Sequence, residues 1–154
     1  MKPHRMHRRR LLALGAEVVV ALGLALPLAA CEKSAPPEAT KRLENAMAAL
    51  GKGDAKAFTA TLPPSQRSKA EARPEWKHFM AVKKAKLGDP LQVEDSQLKI
   101  TTMLYFDEKA EVFNTVTFVL SKEDGDWWVD LDETIALQKR VNGTDAFATW
   151  TFEK

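Results

Sequence analysis

KEDGDWWVDL, residues 122–131, decides how the second half of the chain is read. Asp124-Gly125 is a two-residue hairpin signal, because a tight turn with positive φ at both central positions favours Asp or Asn followed by Gly. Working back from that turn, Val112, Asn114, Val116, Phe118 and Leu120 alternate with Phe113, Thr115, Thr117 and Val119. A two-residue period of β-branched and aromatic side chains specifies a strand. Residues 127–131 return beside it. Earlier, Leu98, Ile100, Thr102, Leu104 and Phe106 alternate with Lys99, Thr101, Met103 and Tyr105, and Asp107-Glu108-Lys109 supplies the intervening turn. An antiparallel meander results. Trp127 and Trp128, adjacent on a strand, face opposite ways, so one of them lies outside the core and is a candidate for an interface.

Before residue 88 the apolar period is helical. Ala39, Leu43, Ala46, Met47 and Leu50 form one stripe of a helix beginning at residue 38 and stopped by Gly51. Asp54 is expected to cap a short helix reaching residue 62, where Pro63-Pro64 ends it, and Ser65 a further turn through residue 72. Pro74 suits a first helical position. The spacing of Trp76, Phe79, Met80 and Leu87 predicts a helix over residues 75–86, closed by Gly88-Asp89-Pro90. After the meander, Asp132 is expected to cap a helix through residue 141, closed by Asn142-Gly143, and residues 147–152 to form a last short strand.

Helices followed by a meander define an α+β fold, with N-terminal helices packed on a curved antiparallel sheet. This order, the KEDGDWWVDL hairpin and the domain size resemble the ketosteroid-isomerase-like superfamily, also called nuclear-transport-factor-like. The resemblance covers residues 38 to about 132 and implies a cone with an open mouth. Residues 134–154 have no counterpart in the plain version of that fold.

The N-terminus carries the address. Lys2, Arg5, Arg8, Arg9 and Arg10 precede residues 11–30, which are apolar except for Glu17 and interrupted by Gly15, Gly23 and Pro27. A basic stretch, an apolar stretch and small residues before a cut site form a secretory signal peptide. A permanent membrane span is disfavoured, since a carboxylate near mid-bilayer costs about 2.5–3.5 kcal/mol on insertion scales. Leu28-Ala29-Ala30-Cys31 resembles the lipobox of bacterial lipoproteins, which implies cleavage before Cys31 and acylation of the sole cysteine. The resulting organisation is a signal peptide (residues 1–30), a lipidated tether (31–37) and a single α+β domain (38–154). Arg8-Arg9-Arg10-Leu11-Leu12 also resembles a twin-arginine signal, and both export routes stay open, as do Met1 and Met6 as starts. Glu32, where enteric lipoproteins retained at the inner membrane carry Asp, favours the outer membrane, with the domain facing the periplasm. Several acyl chains hold such a protein durably, each buried methylene contributing about 0.8 kcal/mol.

The formal net charge of +2 includes this basic leader. Beyond residue 30, 18 basic side chains meet 20 acidic ones, and the split is uneven: 12 basic and 6 acidic over residues 32–88, 6 basic and 14 acidic over residues 89–154. The basic stretch Arg67, Lys69, Arg73, Lys77, Lys83, Lys84 and Lys86 admits anionic headgroups as partners. Nucleic acid is not expected outside the cytoplasm.

Catalytic constellations are sparse. His78 is the only histidine after the leader, and Cys31 is committed to lipid, so no Cys–His nucleophile forms. No glycine-rich phosphate loop is present, and no metal or cofactor is expected. Asp124, Asp126, Asp130, Asp132 and Glu133 lack the spacing of a calcium loop. The superfamily resemblance implies acid–base candidates at Asp130, Asp132, Tyr105 and His78, for an isomerase or dehydratase. The aromatic residues give a stronger lead. Lining a cone, they would bind a small apolar ligand, with Trp76, Tyr105 and Trp128 as candidate contacts. The expected function is non-catalytic: ligand binding or protein–protein interaction in the envelope.

Overall fold

The computed structural model describes residues 35–109, 113–148 and 150. The chain divides into two compact units, Met1–Cys31 and Glu32–Lys154, and every described residue belongs to the second. The signal peptide, Cys31 and most of the tether therefore lie outside the described residues. Of the expected tether, Pro37 is already the first residue of helix α1 (Pro37–Gly51), and Ala35 packs against the core.

α1 buries the expected stripe of Ala39, Leu43, Ala46, Met47 and Leu50. Asp54 caps α2 (Ala55–Ala60), its carboxylate accepting from the Ala57 amide at 2.9 Å. The next cap differs from expectation. Helix α3 (Pro64–Ala70) starts at Pro64, whose missing N–H and fixed φ suit the first turn, so Ser65 is inside the helix.

The largest departure follows. Helix α4 spans only Trp76–Met80, and strand β1 occupies Lys84–Glu94. A short apolar run fits both periods, and here the edge of β2 (Gln97–Tyr105) supplies hydrogen-bond partners that a longer helix would forgo. Gly88-Asp89-Pro90 does not close a helix. It forms a bulge between the Leu87–Thr102 and Pro90–Ile100 pairs. A Cβ at Gly88 would stand 2.8 Å from the Thr101 carbonyl oxygen, so only glycine fits this approach. Pro90 is tolerated because β1 lies at the sheet edge.

β1, β2, β3 (Phe113–Glu123) and β4 (Asp126–Asp130) form an antiparallel sheet in chain order, with the N-terminal helices packed on one face. This is the α+β arrangement expected from the sequence. Asp124 and Gly125 take positive φ of 52° and 89°, as the two-residue hairpin requires. Leu98, Ile100, Leu104, Val116, Phe118, Leu120, Trp127 and Val129 are buried in the core.

Asp130, rather than Asp132, caps helix α5 (Leu131–Asn142), because the helix begins directly where β4 ends. α5 packs on β3, and the Val119 amide donates to the Thr134 hydroxyl at 3.0 Å, at the point where the β3–β4 ladder stops. On the other side of β4, the Val129 amide donates to the Thr61 carbonyl. Both donors left without a ladder partner are thus satisfied by neighbouring elements, which blunts edge pairing. The expected last strand is not formed in its described part. Residues 144–148 are turns, with Phe147 and Trp150, three apart, both directed into the core; Thr151 and Phe152 lie outside the described residues.

Candidate functional site

The helix-covered face of the sheet is built around Phe79. Its ring meets Phe58 at 6.4 Å, Phe118 at 6.0 Å, and Phe147 and Trp150 at 5.8 Å each. α2 and α4 bring Phe58 and Phe79 together, β3 supplies Phe118, and the turns after α5 supply the remaining two rings. Trp76 joins this cluster through Phe58 at 5.5 Å, and Trp150 also reaches Phe106 at 5.3 Å. The centroid spacings are those of favourable tilted and edge-to-face pairs.

Beside the cluster, a cleft of about 410 Å³ is lined by Glu75, Lys77, His78, Lys139, Asp145 and Phe147, among others. Lys139 bridges to Glu75 at 2.6 Å. Burial opposes ionisation of Glu75, but the Lys139 hydrogen bond together with the Lys139 and Arg73 charges outweighs it and holds the carboxyl below its usual range. Desolvation and the Lys77 charge push the His78 imidazole below its ordinary value, with Glu75 opposing them. The ring of His78 stands 6.2 Å from Phe147 and 5.8 Å from Trp150.

The other acid–base candidates hold structural positions. Asp130 caps α5 and accepts from the Gln66 amide at 2.8 Å. Asp132 pairs with Arg73, and Glu133 with Arg140 at 3.7 Å. Among the described residues, no group of three or more His, Cys, Asp or Glu side chains is placed to hold a metal. No helix among them is long and apolar enough to cross a membrane.

Trp76, Tyr105 and Trp128 occupy three separate settings. Trp76 packs against the core. Tyr105 lies on the opposite, outer face of the sheet, paired with Phe113 at 5.6 Å, its hydroxyl 3.6 Å from the Met103 sulfur. Trp128 is the tryptophan left outside the core, its ring 4.4 Å from the Arg42 guanidinium and 5.0 Å from that of Arg67. It pairs with Ser121, eight residues along β3 from Phe113, about 26 Å from the Tyr105 end at ~3.3 Å per residue.

The register arranges the outer face in rows: Lys84–Tyr105–Phe113, then Lys86–Met103–Thr115, then Thr101–Thr117, whose hydroxyls lie 3.1 Å apart. Phe113 is 47% exposed and Met103 36%, more than their apolar character would dictate for a face meeting only water. A groove of about 470 Å³ continues this surface, with Leu91 on one side and Leu137 and Val141 of α5 on the other.

The described elements define an α+β domain with the N-terminal helices on one face of an antiparallel sheet and α5 bordering part of the other. No family model matches the sequence, and no curated protein matches it. Among solved structures, a Campylobacter jejuni protein described as a "Putative NTF2-like transpeptidase" is similar, with a TM-score of 0.45 and 17% identity over 60% of this chain and 97% of that chain.

Proposed function

We propose that the chain is a bacterial envelope lipoprotein of nuclear-transport-factor-like type, anchored by acyl chains at Cys31, whose domain binds a protein partner in the periplasm without catalysing a reaction. The exposed Met103–Tyr105–Phe113 patch, flanked by Lys84 and Lys86, carries this reading. Aromatic and Met side chains are enriched at interfaces, and here Met103 and Phe113 are exposed, whereas Phe58, Phe79 and Phe118 on the other face are buried.

The position of the patch supports the same reading. Pro36, where the tether enters, lines a cleft with Asp95, Lys122, Gly125 and Asp126, at the hairpin end of the sheet. Phe113 lies nine residues from Lys122 along β3, about 30 Å at ~3.3 Å per residue. The patch therefore lies at the opposite end of the sheet from Pro36, which supports a partner out in the periplasm over headgroups of the protein's own leaflet. Of the basic stretch, Arg67 stacks on Trp128 and Arg73 pairs with Asp132, so both are engaged within the domain.

A photo-crosslinking side chain at position 113 in living cells tests this. A discrete adduct from 113, with none from the same group at 124, is expected. Equal labelling from both positions, or none from 113, contradicts the outer face as the interface.

A further inference from the structure

Asn142 ends α5, and Gly143 follows it. Gly143 takes φ 86° and ψ 170°, which leaves the helical path and is open essentially to glycine. At the end of α1 the amides fold back onto the helix: those of Lys52 and Gly53 donate to the carbonyls of Ala48, Ala49 and Leu50. Among the described residues the Gly143 amide has no such acceptor. Asn142 and Gly143 are both exposed, and a Cβ at position 143 would meet nothing within 4 Å. Water and base therefore reach this amide.

Among the described residues the Asn142 side chain is held by one bond, its Nδ2 donating to Gln138 Oε1 at 2.8 Å. Turning the carboxamide toward the Gly143 nitrogen gives up that neutral bond alone, and chain segments at helix ends open with little free energy. The other two asparagines of the domain are placed differently. Asn45 lies within α1, so the amide after it belongs to a helical turn. Asn114 lies within β3, opposite Leu104, and the β-branched Thr115 follows it.

We propose that Asn142 is a site of spontaneous deamidation in the folded protein. The Gly143 amide loses its proton to base, and its nitrogen attacks Asn142 Cγ. The new N–Cγ bond replaces the Cγ–Nδ2 bond, ammonia leaves, and a cyclic imide remains. Water then opens the imide at either carbonyl, giving an aspartyl or an isoaspartyl residue. Water enters and ammonia leaves, with no oxidant or reductant. Asn142 lines the groove that also holds Asp89, Lys99, Leu137 and Val141, so the product adds a carboxylate where Asp89 and Lys99 otherwise balance. The new charge also stands at a helix C-terminus, where the backbone dipole disfavours an anion. The end of α5 thus carries a slow chemical change in groove charge, which does not depend on the outer face being an interface.

Peptide mapping by mass spectrometry tests this on the purified protein, incubated at mildly alkaline pH in water enriched in heavy oxygen. Conversion is expected at position 142, with one heavy oxygen taken up and isoaspartate formed alongside aspartate. Positions 45 and 114 should convert at least tenfold more slowly. The rate at 142 in the folded protein should fall within tenfold of that in the chain unfolded in urea. Reaction through global unfolding alone would be slower by the unfolded fraction, about 10⁻³ or less. A folded protein that converts more than tenfold slower than the unfolded chain overturns the proposal, because the fold would then protect the site. So does conversion at 45 or 114 that keeps pace with 142. Conversion without heavy oxygen overturns it too, since opening the imide draws its oxygen from water.

Discussion

Gln66 is the joint between the helical layer and α5, and its removal should be among the costliest polar substitutions in the domain. Its side chain is nearly buried. The amide nitrogen donates to Asp130 Oδ1 at 2.8 Å, and the carbonyl oxygen accepts from the Leu131 and Asp132 amides at 3.0 and 3.2 Å. Those amides belong to the first turn of α5, where backbone donors have no partner within the helix. Gln66→Ala leaves the Leu131 amide buried without an acceptor and takes a donor from Asp130. An unsatisfied buried group costs about 1–3 kcal/mol. With the Asp132 amide only part-buried and open to rehydration, the sum is about 2–4 kcal/mol. For a domain between the small and medium size classes each kcal/mol shifts the melting temperature by about 4 °C, so a drop of about 8–16 °C is expected. Urea unfolding of Glu32–Lys154, followed by far-UV circular dichroism, should show a lower midpoint with an unchanged slope. Gln66→Glu keeps an acceptor for the two amides but turns a second oxygen toward Asp130. It should be as damaging at neutral pH and recover partly on acidification, when the carboxyl pair can share a proton. A Gln66→Ala protein within about 0.5 kcal/mol of the parent, the range of ordinary surface changes, would refute the reasoning.

Phe79→Ala removes the ring on which four others converge and should destabilise by about 3–5 kcal/mol in the same urea assay. Thr134→Val deletes the acceptor of the buried Val119 amide while keeping side-chain shape, and should cost about 1–3 kcal/mol. Acid should weaken the fold in two stages. His78 has a lowered folded pKa, so its contribution is full above the ordinary imidazole range and is lost as pH falls through that range toward the folded value. The Glu75 contribution is full above the ordinary carboxyl range and is lost as pH falls through it toward the lowered folded value. A urea midpoint that stays flat from neutral pH down through the carboxylate range would contradict both assignments.

The meander was legible because its period is unambiguous: β-branched and aromatic residues alternate over residues 112–120, and Asp124-Gly125 permits one tight turn. The first helices were legible for the same reason, with Asp54 and Gly51 marking their ends. Residues 75–94 were not. Trp76, Phe79, Met80 and Leu87 satisfy a helical stripe, and what converts residues 84–94 to a strand is the edge of β2, a partner absent from any local window. Gly88 reads as a helix stop in isolation and as a bulge only once Thr101 is opposite it. Gln66 carries no signal in the sequence, since its partners lie 64 to 66 residues away. Phe147 and Trp150 were visible as apolar residues. Residues 147–152 read in isolation as a short strand, but the turn spacing of three places both rings in one cluster. Of the candidate contacts, the split of Trp127 and Trp128 between core and exterior follows from strand geometry alone. The separation of Trp76, Tyr105 and Trp128 depends on register.

The anchored state of the protein is tested most directly by the intact mass of the chain extracted from membranes of cells expressing it. The mass expected is that of residues 31–154 increased by a diacylglyceryl group and an N-acyl chain, and Cys31→Ser should abolish both the cleavage and the added mass. A membrane-bound chain retaining residues 1–30, or a cleaved chain of unmodified mass in the soluble fraction, would contradict the account.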